Sequence, residues 1–157
     1  MSFPDRFPDL PADLGPILRH LTAAYPDEGC GVVIRRASDG ALRVRPMENA
    51  YDRFHALEPD DFPRTARTAY LFDPREQLAV QKECDQGGEE ICCVFHSHVD
   101  AGAYFSAEDR RAALPDGEPV LPGASYLVVS VRQGHPADAR LFRYEGGDFR
   151  ETPIPLA

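Results

Sequence analysis

Two histidines one residue apart, His96-Ser97-His98, carry the most specific chemical content of the sequence. On a β-strand, residues i and i+2 share a face, so both imidazoles can turn toward one cation while Ser97 turns away. Taken alone, the pair reads equally well as two ordinary histidines at a strand end. Seven residues further on, Ser106-Ala107-Glu108-Asp109 has the form of a variant capping box at a helix start. A connection of that length can fold the helix start back over the strand end, where Asp109 would offer a third ligand. His96, His98 and Asp109 would then form the two-imidazole, one-carboxylate set of an open zinc site, which keeps a position for water and lowers its pKa to about 7. Amide hydrolysis also needs a group that shuttles the water proton to the leaving amine, commonly a glutamate. Glu28, in Pro26-Asp27-Glu28-Gly29-Cys30-Gly31, stands at the entry to a strand and is one candidate; on these grounds Glu76, Glu89 and Glu90 are others.

These residues need elements to position them. Leu14, Ile17, Leu18 and Leu21 recur at helical spacing, so residues 12–25 predict a helix with Asp13 able to cap it and Pro26 to stop it. Runs 31–36 and 41–47, joined through Asp39-Gly40, predict a β-hairpin. Residues 51–71 mix prolines, charges and aromatics, with a short helix expected after Asp60-Asp61. Asp73-Pro74-Arg75-Glu76 announces a capped helix that ends near Gly87-Gly88. The apolar run 91–98 predicts the strand that carries the histidines, and 106–114 the capped helix after it. Residues 125–131 read as a buried strand, with 139–144 and 149–154 as closing strands around Gly146-Gly147. The first eleven residues, with three prolines, suggest a loose arm. This order of elements predicts an α+β domain with helices packed on a central sheet.

A length of 157 residues with 43% hydrophobic content allows one domain with its own core, needing neither disulfides nor a structural metal. The net charge is −9, and every basic residue except Lys82 is arginine; the absence of a basic stripe argues against nucleic acid as partner. No apolar run approaches the roughly 18 residues of a membrane span, and Met1-Ser2-Phe3-Pro4-Asp5 lacks the regions of a signal peptide, so a cytoplasmic location without membrane partners is expected. Cys30, Cys84, Cys92 and Cys93 are then reduced thiols, and Cys92 and Cys93, being adjacent, are expected on opposite faces of their strand.

Glu28, His96-Ser97-His98, Ser106 and Asp109, with seven residues between His98 and Ser106, resemble the signature of the JAMM (MPN+) zinc metallopeptidases. The helix before Glu28, the Glu-x-Cys-Gly strand and the helix opening at Asp73-Pro74 extend the resemblance over about residues 12–145. It implies a single MPN/JAMM domain of the compact bacterial branch, with a curved, mainly antiparallel sheet flanked by helices in cytidine-deaminase-like layering. It implies one Zn2+ per chain held by His96, His98 and Asp109, with Glu28 deprotonating the water and Ser106 helping to stabilise the oxyanion. It further implies a partner, a ubiquitin-like sulfur-carrier protein ending in Gly-Gly, cleaved at a peptide or isopeptide bond after the diglycine with release of cysteine or another group. A diglycine suits a narrow cleft. A homodimer is left open. Val99 departs from the proline common after the second histidine, so the following loop is expected to be more mobile.

Other families with this histidine spacing fit less well. Ala101 replaces the last histidine of the His-x-His-x-Asp-His pattern of metallo-β-lactamases, and residues 101–105 hold no glutamate of the cupin kind. Two alternatives of function remain at this stage: a catalytically silent MPN scaffold that binds a partner, and a JAMM amidase acting on another small substrate.

Overall fold

The computed structural model describes residues 7–156. Its helices and strands, in chain order, are α1 Gly15–Ala24, β1 Cys30–Arg36, β2 Leu42–Met47, α2 Tyr51–Leu57, α3 Pro74–Gly87, β3 Glu89–Val99, α4 Ala107–Ala113, β4 Ser125–Arg132, β5 His135–Glu145 and β6 Asp148–Pro153. One six-stranded sheet has the order β2-β1-β3-β4-β5-β6. Only β3 and β4 run parallel, because α4 and its flanking loops carry the chain across between them. The outcome is the α+β, mainly antiparallel arrangement expected. No helix among the described residues is long and apolar enough to cross a membrane.

Strand alternation divides the core into two layers. On one face Val33, Cys93, Phe95, Leu127, Val129 and Leu141 pack against Ile17 and Leu21 of α1. On the other, Val32, Ile34, Val94 and Val128 meet Val80 and Cys84 of α3, Ala113 of α4 and Phe105. His96 and His98, in step with Val94, therefore fall on the α3–α4 face, and Ser97 turns toward α1. Gly31 is required beside them: a Cβ there would stand 2.3 Å from Phe95 Cζ.

Several local expectations change. Helix α1 starts at Gly15, three residues later than expected, because Pro16 is tolerated only in a first turn; Asp13 still accepts from the Gly15 N–H at 2.8 Å. Asp73 caps α3 and Gly88 closes it in the left-handed conformation, but Glu76 does not reach back to the cap. It accepts from Glu48 N–H and pairs with Arg45, which also meets Glu83, tying the edge strand β2 to α3. In 51–71 the helix precedes Asp60-Asp61 rather than following it, and turns occupy 59–68. Cys92 and Cys93 do not oppose each other, since a bulge leaves Cys92 unpaired between Ile91↔Ile34 and Cys93↔Val33 and both thiols enter the α1-side layer.

Of the expected loose arm, residues 1–6 lie outside the described residues, and the rest is anchored. Phe7 and Leu10 are buried in the α1-side core, each contributing about 1.5–3 kcal/mol of apolar burial. Buried Asp9 binds Arg35 and lies 3.5 Å from Arg143.

Candidate active site

Where β3 ends and α4 begins, local chain preferences bring three ligand groups together. Ser106 is the N-cap of α4: its Oγ accepts from Asp109 N–H at 3.0 Å, and its own N–H donates to Asp109 Oδ2 at 3.0 Å. The reciprocal box that starts the helix thus also orients the Asp109 carboxylate. Asp109 Oδ1 lies 3.3 Å from His96 Nε2, and Oδ2 lies 3.3 Å from His98 Nε2. One ligand atom from each of His96, His98 and Asp109 lies within 4.8 Å of the others.

The three groups are buried, yet their hydrogen bonding is incomplete. His96 is fully buried, and neither of its ring nitrogens has a hydrogen-bond partner. A buried polar atom in that state is costly unless something else satisfies it. Donors about 2.0–2.1 Å from a tetrahedral ion stand about 3.3 Å apart, close to the His96–Asp109 and His98–Asp109 separations, each of which is made to a different carboxylate oxygen. The donor set therefore fits a zinc ion. His98 Nδ1 donates to Gly102 O at 2.8 Å, leaving Nε2 as the free lone pair. His96 is oriented instead by Tyr70, stacked on it with ring centres 4.4 Å apart. Burial opposes ionisation of Asp109, but His96, His98 and the Ser106 N–H outweigh it and hold the carboxyl well below its usual range.

Glu28, His98, Ser106 and Asp109 line one cavity of about 380 Å³, with Tyr70 in its wall and His96 directly behind. Burial first, and Asp109 second, push the Glu28 carboxyl up to about 9. The other glutamates weighed at the sequence level are engaged elsewhere: Glu76 with Arg45, Glu89 with Arg43 and Glu90 with Arg35. Ser97 shows what the residue between the histidines does. Its Oγ accepts from Gly29 N–H at 2.8 Å and its N–H donates to Gly29 O, fastening the Glu28 segment to β3. Gly29 is packed so closely against α1 that a Cβ would stand 2.9 Å from Leu21 Cδ2.

The opposite wall depends on residues that sequence reasoning did not select. Asn49 Nδ2 donates to Glu28 O (2.9 Å) and Ala69 O (3.0 Å), while its Oδ1 accepts from Tyr51 and Leu71 N–H. Glu28 N–H donates to Ala66 O at 2.7 Å, and Asp52 receives the Ala66 N–H. These bonds hold Tyr70 over His96 and Arg64 and Arg67 along the rim. No periodicity marks Asn49; a polar residue just after a strand was the only signal. Beyond Val99 the loop is tied down rather than free: Tyr25 OH and Gln133 N–H donate to Asp100, and Ser130 Oγ donates to Ala101 O at 2.5 Å. Cys30 is a buried residue of the sheet whose thiol burial pushes far up, which leaves it inert as a nucleophile.

A mixed sheet presenting a buried His-His-Asp set beside a buried glutamate has the donors that could hold a metal ion. Residues 12–144 match the family described as prokaryotic homologs of the JAB domain, and the chain belongs to that family, a compact bacterial JAMM lineage. It is therefore a hydrolase of JAB type. It is 31% identical over 139 residues to the CysO-cysteine peptidase of Mycobacterium tuberculosis, covering 88% of this chain and 82% of the relative. To the desampylase of Haloferax volcanii it is 30% identical over 137 residues, covering 83% and 79%. A solution structure of a protein from Desulfitobacterium hafniense superposes with a TM-score of 0.63 at 30% identity, covering 92% of this chain and 88% of that one.

Proposed function

We propose that this chain is a zinc-dependent peptidase that cleaves the peptide or isopeptide bond after the C-terminal Gly-Gly of a ubiquitin-like sulfur-carrier protein in the cytoplasm. The observation that carries this reading is the convergence of His96, His98 and Asp109 on one corner of the cavity that Glu28 also lines. The names of the two relatives support the substrate class.

The residues divide the work as follows. His96, His98 and Asp109 would hold Zn2+, which when bound polarises the scissile carbonyl, activates water and stabilises the carboxylate form of Glu28. Glu28 takes the proton of the attacking water on a carboxylate oxygen and passes it to the leaving nitrogen. Its backbone is held on both sides, by Asn49 and Ala66, so the carboxylate has little freedom to turn away. Ser106 Oγ already accepts from Asp109 N–H, so its own proton is available for the oxyanion. Tyr70 and Tyr104 flank the two imidazoles and narrow the approach, which suits a diglycine without side chains.

The test uses purified protein and a CysO–cysteine conjugate. About one zinc per chain, release of cysteine, and loss of release in Glu28→Gln with metal retained support the reading. Undiminished release in that variant contradicts the role of Glu28; a metal-free wild-type protein that still cleaves contradicts the centre itself.

A further inference from the structure

We infer that Arg67 is a specificity residue that binds the free α-carboxylate of a single amino acid attached after the diglycine, making this chain a carboxyl-terminal trimming peptidase in preference to an isopeptidase. The inference rests on the proposed peptidase reading and narrows its substrate.

Besides the metal-binding corner, the cavity is lined by Glu28, Glu108 and two arginines, Arg64 and Arg67. Arg64 is already committed: its Nε lies 3.1 Å from Glu108 Oε2, and Nη1 donates to Thr68 O at 3.3 Å. Arg67 is exposed and has no hydrogen bond or ion pair to a carboxylate among the described residues. It is the cavity's uncommitted cation.

Its place follows from the backbone. Ala66 O accepts Glu28 N–H at 2.7 Å, so residue 67 is one step along the chain from a direct contact with the proposed proton shuttle. Val99 and Ala101 line the same cavity as Arg67. Arg64 and Glu108 belong to the rim nearer α4. Cleavage after the diglycine leaves an amino acid whose nitrogen is bonded to the carbon bearing its carboxylate. That carboxylate must therefore lie close to the scissile bond, inside a cavity that also holds Glu28, Glu108 and Asp109. A metal bound at His96, His98 and Asp109 would offset part of that negative charge, and a cation that hydrogen-bonds the carboxylate itself adds to that offset. A guanidinium offers a two-pronged, charge-assisted partner. A lysine joined through its side-chain nitrogen brings four methylenes there and no carboxylate, so it gains nothing from Arg67.

The experiment compares three probes: CysO extended by cysteine as the free acid, the same conjugate as its α-carboxamide, and CysO joined to the side-chain nitrogen of lysine. Wild-type protein is expected to cleave the acid with a kcat/KM about 10- to 100-fold above the amide, the size of a lost hydrogen-bonded ion pair. The lysine conjugate should fall with the amide. In Arg67→Gln the acid-to-amide ratio should collapse to near one, and Arg67→Lys should keep part of it. Equilibrium binding of acid and amide to Glu28→Gln protein, with and without Arg67→Gln, should show the same ratio without turnover. An acid-to-amide ratio unchanged in Arg67→Gln overturns the proposal, as does an equal loss on all three probes, which would place Arg67 against the carrier body. Failure of wild-type protein to cleave any of the three removes the peptidase reading and this inference with it; selective loss of the ratio's dependence on Arg67 removes the inference alone.

Discussion

The two walls of the cavity are built by different means. One wall, the end of β3 and the start of α4, is made of regular structure whose short-range hydrogen bonds place the ligands: strand alternation aims His96 and His98, and a capping box aims Asp109. The other wall, residues 48–71, has one short helix and several turns, and is held by side chains bonding to distant backbone, Asn49 and Asp52 above all. On the proposed reading, the contrast makes metal affinity and catalytic alignment separable. Damage to the first wall should remove the ion; damage to the second should leave the ion and misplace Glu28, Tyr70 and the rim.

The strongest way to break that contrast is within the first wall. His98→Ala or Asp109→Ala should reduce zinc from about one per chain to near none, with a loss of affinity exceeding the roughly 10–100-fold caused by changes around a metal's ligands. Metal analysis after dialysis checks this, and retention of zinc in either variant would contradict the ligand assignment. Next, Glu28→Gln should lower kcat by about 10²–10⁴ with zinc unchanged, read by steady-state hydrolysis and metal content together.

Glu28 also sharpens the comparison through pH. In the metal-free protein its folded pKa is raised to about 9, above an unfolded value of about 4.3. The folded state then holds this proton more tightly, so the associated stability is fully present below about pH 4.3 and is lost as pH rises toward 9, at up to about 1.4 kcal/mol per pH unit. Thermal melts of metal-free wild type and Glu28→Gln should therefore differ increasingly in favour of the variant from pH 5 to pH 8. A constant difference would place the carboxylate in a wetter site than its 6% exposure describes.

Within the second wall, Asn49→Ala strands the Glu28 and Ala69 carbonyls and the Tyr51 and Leu71 amides. It should cost about 2–4 kcal/mol in denaturant unfolding and lower kcat with little change in bound zinc. Loss of zinc in parallel with kcat would show that the walls are coupled. The smallest effect on stability is expected at Ser106. Ser106→Ala should cost about 0.5–2 kcal/mol through the lost cap, whereas Ser106→Gly should cost only a few tenths, with both losing the hydroxyl offered to the oxyanion.

The same contrast explains what could be read in advance. His96, His98, Ser106 and Asp109 were legible because strand period and capping are local rules, and the helices at 74–87 and 107–113 carried their own start signals. Choosing Glu28 among four glutamates needed the family resemblance, since only tertiary structure shows the others engaged with arginines. Asn49 and Tyr70 were illegible because their partners lie up to 26 residues away and follow no period. The bulge at Cys92 and the burial of Phe7 and Leu10 were missed for a related reason: both depend on how the strands and the chain start pack against α1's side of the sheet.

The central claim is that two imidazoles and one carboxylate from β3 and α4 hold a single zinc ion. X-ray absorption at the zinc edge of the loaded protein tests it most directly. Two imidazole nitrogens and oxygen donors at about 2.0–2.1 Å, with the imidazole signal reduced in His98→Ala, is the expected result. A sulfur shell at about 2.3 Å, or a spectrum unaltered by that substitution, would contradict it.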